Sequence, residues 1–298
     1  MAQTADLVVL QGGQLIHRAS YAPGQLRDCF SMTKSVLAML VGLAVDSGAV
    51  TLEECVEDDA TVRDFLTMTR GVASDPEDID RVMELPSGWE QAIRGRTRRW
   101  APGTRFCYDN EAAHLLAIWL SRRVGDLEKY AAEHLFGPLG IDEAKWLRDP
   151  EGYCFGAAHL QLSAGSLATL GQLLLDGGTT STRRVLSSSW VQAMTTAWTP
   201  GGPPENTGYG YLTWVADDGF FFGGWAGQHT SVFPAYDLVV VTTGLPSLLP
   251  ADWTPARAAV PAHLASAPSC SAYPLRLGRR PGRAALTSAG PSTPDMGA

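Results

Sequence analysis

Residues 31–48 read SMTKSVLAMLVGLAVDSG. Apolar side chains at positions 37, 38, 40, 41, 43, 44 and 45 predict a helix buried over most of its circumference, with Gly48 as its stop. Ser31 and Lys34 stand at the mouth of that helix, about one turn apart and on one face. First-turn N–H groups and the helix dipole favour negative charge, which suits an attacking alkoxide and its oxyanion. Burial lowers the pKa of a lysine, so a neutral amine placed there can take the serine proton. A capping serine followed by a surface lysine is the competing reading of the same four residues. Composition adds weight to the first: of 23 basic residues only Lys34, Lys129 and Lys145 are lysine, and arginine cannot accept a proton near neutral pH.

On the N-terminal side, DLVVLQGGQLIHRASYA (6–22) predicts two strands around a Gly12-Gly13 turn. On the C-terminal side, helices are expected from 61–69, 111–123, 126–136, 163–175 and 187–195, with Gly137-Pro138-Leu139-Gly140 closing the third of these. Residues 73–100 are polar and rich in Gly, Pro and Arg; they read as a long irregular excursion whose arginine run, 94–99, is a solvated loop. The period then switches to two, and 209–217, 219–227, 229–234 and 237–244 read as consecutive antiparallel strands. Strands, helices and strands again imply an α+β fold, its antiparallel sheet built from both chain ends and flanked by helices, with a mostly helical middle region. We therefore expect a sheet domain from 1–55 with 160–248 and a mostly helical domain over 56–159. Residues 249–298, rich in Ala, Pro, Arg and Ser, read as a low-complexity tail with a short helix near 255–265.

Bulk properties remove several classes of function. A chain of 298 residues is long enough for a sizeable core. With 31 acidic residues against 23 basic ones, the net charge of −8 advertises no face for nucleic acid. No apolar run reaches the roughly 18–20 residues of a membrane span. MAQTADLVVLQGGQ lacks the basic and apolar regions of a signal peptide, so a cytoplasmic location is expected. Five cysteines without a CxxC pair form neither a disulfide framework nor a zinc signature.

Two further motifs carry chemistry. Tyr108-Asp109-Asn110 precedes a helix; a tyrosine at such a junction can share a proton with a lysine, and the asparagine can bind an amide. An aromatic staple with Asn110 as helix cap is the plainer alternative. Phe222-Gly223-Gly224-Trp225-Ala226-Gly227-Gln228 places glycines inside a strand, where they are useful if a ligand approaches the backbone closely. A β-bulge would explain them equally.

Ser-Met-Thr-Lys at 31–34, Tyr-Asp-Asn at 108–110 and the glycine-rich strand at 222–228 occur in the order of the serine β-lactamase and penicillin-binding-protein superfamily. The connecting text VGLAVDSGAVTLEECV, TVRDFLTMTRGV, WAPGTRFCYDNEAAHLLA and LSAGSLATLGQLLLDGG resembles the class C β-lactamase-related branch, which holds family VIII carboxylesterases, D-aminopeptidases and 6-aminohexanoate-dimer hydrolases. The resemblance covers about residues 6–245. It implies a β-lactamase/transpeptidase-like fold, with Ser31 as acylated nucleophile, Lys34 as its base and Tyr108 as proton relay. Asn110, Phe222, Gly223, Gly224, Trp225 and Gln228 become the expected substrate-binding residues, with the N–H groups of Ser31 and Trp225 as oxyanion hole. It implies no metal and no organic cofactor. The expected partner is a small ester or amide. An acyltransferase using the same acyl-enzyme is the alternative, and a non-catalytic ligand-binding homologue is the rival of another class.

Some positions depart from the family pattern. Phe222-Gly223-Gly224 stands where penicillin-active relatives carry a cation for the substrate carboxylate, which weighs against antibiotic hydrolysis. Arg70 replaces the usual serine of "TMTSG", and Gly165-Ser166 replaces the common Arg-Asp. His114 and His134 read as packing or surface residues, whereas His229 is a conceivable substrate contact.

Overall fold

The computed structural model describes residues 3–246 apart from Pro23 and Pro76; the expected tail and its short helix lie outside the described residues. Gly12 and Gly13 both adopt positive φ, 58° and 71°, as a two-residue hairpin turn requires. They join β1 (Gln3–Gln11) to β2 (Gln14–Ser20). Six more strands come from the C-terminal third: β3 (Thr199–Gly202), β4 (Thr207–Tyr209), β5 (Trp214–Ala216), β6 (Gly219–Gly224), β7 (Gln228–Phe233) and β8 (Leu238–Leu245). They form one eight-stranded sheet in the order β2-β1-β8-β7-β6-β5-β4-β3. Its pairings are antiparallel, and Val8 of β1 sits opposite Val241 of β8. The two ends of the described chain thus lie side by side within the sheet, one strand in from the β2 edge.

The longer helices are α1 (Met32–Asp46), α2 (Asn110–Val124), α3 (Ala164–Leu175) and α4 (Ser188–Met194). Helix α3 packs on β1, β7 and β8, and α1 lies against β6 and β7 with α2 beyond it. Twelve of the fifteen residues of α1 are buried, consistent with its nearly continuous apolar sequence. Trp190 of α4 donates its ring N–H to the Ala38 carbonyl at 3.1 Å. A Cβ on Gly42 would stand 2.2 Å from that same ring nitrogen, so glycine is what lets α4 dock on α1. Burying an aromatic ring this way contributes about 2 kcal/mol.

Two expectations need correction. Residues 209–217 are not one strand: the chain turns at 210–213, where Leu212 takes φ 46° and donates its N–H to the Leu66 carbonyl. The result is a hairpin, β4–β5, with Trp214 opposite Tyr209. Strand β3, Thr-Pro-Gly-Gly, has the composition of a turn and forms at the edge of the sheet, where proline's missing donor is tolerated. Segment 73–100 is not wholly irregular either, since it holds short helices at Asp78–Met83 and Trp89–Arg94. Among the described residues no helix is long and apolar enough to cross a membrane.

Candidate active site

The approach to Ser31 is set by a two-residue strand, Arg27–Asp28, paired antiparallel with Leu160–Leu162. Asp28 Oδ1 accepts the Phe30 N–H at 2.7 Å and holds that residue at φ 43°. A non-glycine residue at positive φ is uncommon and needs such support. Ser31 is already helical, at φ −66° and ψ −11°. The next three N–H groups reach back three residues, including Lys34 N–H to the Ser31 carbonyl at 3.1 Å. A turn of this 3₁₀ type eclipses residues i and i+3, which sets Lys34 directly over Ser31. Lys34 Nζ lies 3.0 Å from Ser31 Oγ and donates to the Ala157 carbonyl at 2.6 Å.

The electrostatics follow from burial. Lys34 is 1% exposed, and loss of solvent pulls its pKa down to about 7, although the charge of Asp109 pushes the other way. Tyr108, immediately before α2, makes a side-chain hydrogen bond to Ser31. Its ring stacks on Trp214 with centroids 5.7 Å apart, and Lys34 Nζ sits 5.0 Å from the same ring. Burial raises the phenol pKa, the Ser31 bond lowers it, and the Glu205 charge raises it again; the net shift is upward. Tyr108 is therefore a neutral phenol near pH 7. Two groups of opposite proton habit, an amine ready to accept and a phenol ready to donate, thus address one hydroxyl.

The glycine-rich strand supplies the third side. A Cβ on Gly224 would stand 2.5 Å from the Cys29 carbonyl oxygen and 3.4 Å from Met32 Cγ, so the end of β6 touches the start of α1 backbone to backbone. Gly224→Ala should therefore separate the two, with a stability loss of about 1–3 kcal/mol in denaturant titrations and a drop in turnover larger than that loss explains. Native stability in this variant would show that the contact is slack. Trp225 begins the tight turn to β7, remains 37% exposed, and meets Phe30 edge-on at 5.3 Å. Gly223 leaves a space whose nearest atom is Glu205 Oε1, 3.1 Å from where a side chain would begin.

Two of the expected substrate contacts are buried. Phe222 is fully buried and belongs to the core. Gln228 is buried as well, and its amide donates to the Gly244 carbonyl at 2.7 Å, tying β7 to β8. Asn110 is half-buried as the first residue of α2, but the helix cap is Asp109, whose carboxylate accepts the Ala112 N–H at 2.9 Å. His229 is buried and stacked on Phe221 at 5.4 Å, which removes it from the surface. His114 is likewise buried, with Nε2 3.2 Å from Asp149 Oδ2. A cavity of about 590 Å³ opens beside Tyr108, lined also by Arg105, Phe106, Trp198 and Thr199. No trio of His, Cys, Asp or Glu among the described residues is placed to hold a metal ion.

The sequence reading missed Ala157 and Trp214. Ala157 acts through its carbonyl, which any residue carries, so no side-chain signal exists. Trp214 has the signature of a core aromatic, and only the β4–β5 hairpin aims it at Tyr108.

Comparison with known proteins agrees with this fold. The sequence profile of the family described as Beta-lactamase matches residues 2–244. A 6-aminohexanoate-dimer hydrolase from Paenarthrobacter ureafaciens is 26% identical over 223 residues, which is 64% of this chain and 57% of that protein. The chain thus spans little more than half the length of this curated relative. Among solved structures, an octameric penicillin-binding protein homologue from Pyrococcus abyssi superposes with a TM-score of 0.69 at 18% identity, over 84% of this chain and 71% of the other. EstCE1, described as a hydrolase with promiscuous acyltransferase activity, gives 0.66 at 17% identity over 81% and 88%. With a family match running through nearly every described residue, and the sheet and helices of these structures around it, the chain belongs to the Beta-lactamase family and so to the serine β-lactamase and penicillin-binding-protein superfamily.

Proposed function

We propose that this protein is a serine hydrolase that cleaves a small ester or amide through an acyl-enzyme on Ser31. One observation carries the reading: Ser31 Oγ lies 3.0 Å from the amine of Lys34, a lysine held near neutrality by burial. In acylation Ser31 Oγ bonds to the substrate carbonyl carbon as its proton passes to Lys34 Nζ. The bond to the leaving alcohol or amine then breaks, and that group departs with a proton relayed through Tyr108. Water, deprotonated by the same groups, attacks the acyl carbon; the acid product leaves and Ser31 regains its proton. The carbonyl of Ala157 takes one N–H of Lys34 and so directs the amine lone pair toward Ser31. The N–H groups of Ser31 and Trp225 are the natural donors to the oxyanion, because the Gly224 contact brings β6 against the entry of α1.

The choice of substrate class follows from charge. Phe222 removes the cation that would hold a penicillin carboxylate, and Glu205 puts a carboxylate oxygen next to Gly223 instead. An anionic β-lactam is disfavoured on both counts. Esters and amides are the substrates in keeping with the names of the hydrolase relatives. Cys29, Cys55, Cys107 and Cys154 are all unbridged, which suits a reducing compartment such as the cytoplasm.

The test is covalent labelling. Incubation with a fluorophosphonate should add one adduct mass that peptide mapping places on Ser31. The protein should also turn over members of a panel of short p-nitrophenyl esters and amino-acid amides in preference to nitrocefin. No adduct and no turnover across the panel would overturn the proposal.

A further inference from the structure

Several charged residues between 57 and 111 form a largely buried network behind the candidate site. Arg70, 1% exposed, lies at its centre. Its Nε and Nη2 clasp the Glu57 carboxylate at 2.7 and 2.9 Å, and Nη2 also donates to the Ile93 carbonyl at 2.8 Å. Its Nη1 reaches Asp109 Oδ2 at 3.4 Å. The run 94–99, expected to be solvated, feeds the same network: Arg96 bridges Asp78 and Glu111, and Arg98 bonds both the carbonyl and the carboxylate of Glu57. Asp109 is the member that touches the chemistry, because it follows Tyr108 directly and caps α2. It is fully enclosed, faced by Arg70, the Ser74 side chain and the Ala112 N–H, with its own N–H on Met68 Sδ.

We propose that Arg70 is a positioning residue for the Ser31–Lys34–Tyr108 site: by gripping Asp109 and Glu57 together it fixes the loop carrying Tyr108 and offsets the negative charge that Asp109 presents to Lys34. A lysine can serve as base near neutral pH only if it is not stabilised as a cation. Burial works toward the neutral amine, and Asp109 works against it. Among the described residues, Nζ also meets the Ser31 hydroxyl, the Tyr108 ring and the Ala157 carbonyl, none of them charged. A bare Asp109 would thus be the dominant opposing charge, and Arg70 is its ion-pair partner. The same enclosure leaves a trace at Glu111, whose pKa rises to about 7 through burial and the Asp109 charge. The inference rests on Lys34 being the base proposed above.

Three lysines in the whole sequence make the test direct. The full chain is labelled with ¹³Cε-lysine and titrated by NMR; Lys129 and Lys145 are exposed and serve as internal references. Asp109→Asn keeps a competent helix cap and should move the Lys34 titration to lower pH by about half a pH unit or more. Arg70→Gln should move it upward, and Arg70→Lys should fall between Arg70→Gln and the parent protein. Opposite signs at 70 and 109 are the signature that a merely structural network would not give. Should Arg70→Gln fail to fold, Arg70→Lys decides instead, and a Lys34 titration left unmoved or lowered in it overturns the proposal. A parent Lys34 that titrates in the ordinary lysine range overturns the base assignment instead, while leaving the shift in Asp109→Asn readable.

Discussion

Lys34→Arg should reduce turnover of an activated ester by at least about 10²-fold, the usual worth of a general base. Arginine keeps the positive charge and nearly the length, but it cannot release its proton near neutral pH. The buried amine 3.0 Å from Ser31 Oγ would be replaced by a permanent cation with nothing to accept the serine proton. Lys34→Met, which fills the same space without charge, should fall as far, and it guards against a folding failure in the arginine variant. The parent protein should show the reason in its pH profile. With Lys34 titrating at about 7, kcat/KM is low where the amine is protonated and rises with pH through that value, giving an acid limb near pH 7. In Lys34→Met the residual rate should lose this limb. Near-parental turnover by well-folded Lys34→Arg would remove lysine from the mechanism.

Ser31→Ala should be more damaging, with a loss of at least about 10³-fold and no fluorophosphonate adduct, since the atom that forms the acyl bond is gone. The fold should not suffer. Among the described residues Ser31 Oγ bonds Lys34 and Tyr108, and α1 is stabilised by its apolar residues rather than by a cap, for the Ser31 side chain makes no capping bond. Equal thermal stability beside lost turnover is the expected pair of results. Combining Ser31→Ala with Lys34→Met should cost little beyond Ser31→Ala alone, because both disable the same proton transfer.

Much of this architecture was legible in the linear chain. Gly12-Gly13 and the apolar run of α1 follow from local rules, glycine at positive φ and burial on a helical period; the strands read at 219–227, 229–234 and 237–244 form at 219–224, 228–233 and 238–245, the first ending early in a tight turn. Ser31 and Lys34 are neighbours by helical spacing, so their proximity needed no tertiary knowledge. Charged residues were read less well. The run 94–99 reads as a solvated loop, yet the enclosed acids Glu57 and Glu111 draw Arg96 and Arg98 part-way inward. A sequence lists charges without saying which will be excluded from water together.

Distance along the chain marks the boundary. Helix, turn and strand preferences act over a few residues, so they fixed where Ser31, Lys34, Tyr108 and Gly224 stand within their own elements. What Tyr108 does depends on Trp214, about a hundred residues later, which stacks on its ring. What Lys34 does depends on Ala157, whose carbonyl meets the amine only after α1 is buried in the core. Gln228 and Phe222, plausible on motif position, turned inward because neighbouring strands and the core claimed their side chains. The state of the lysine's proton is set by loss of solvent, and that loss exists only once sheet and helices have closed around it.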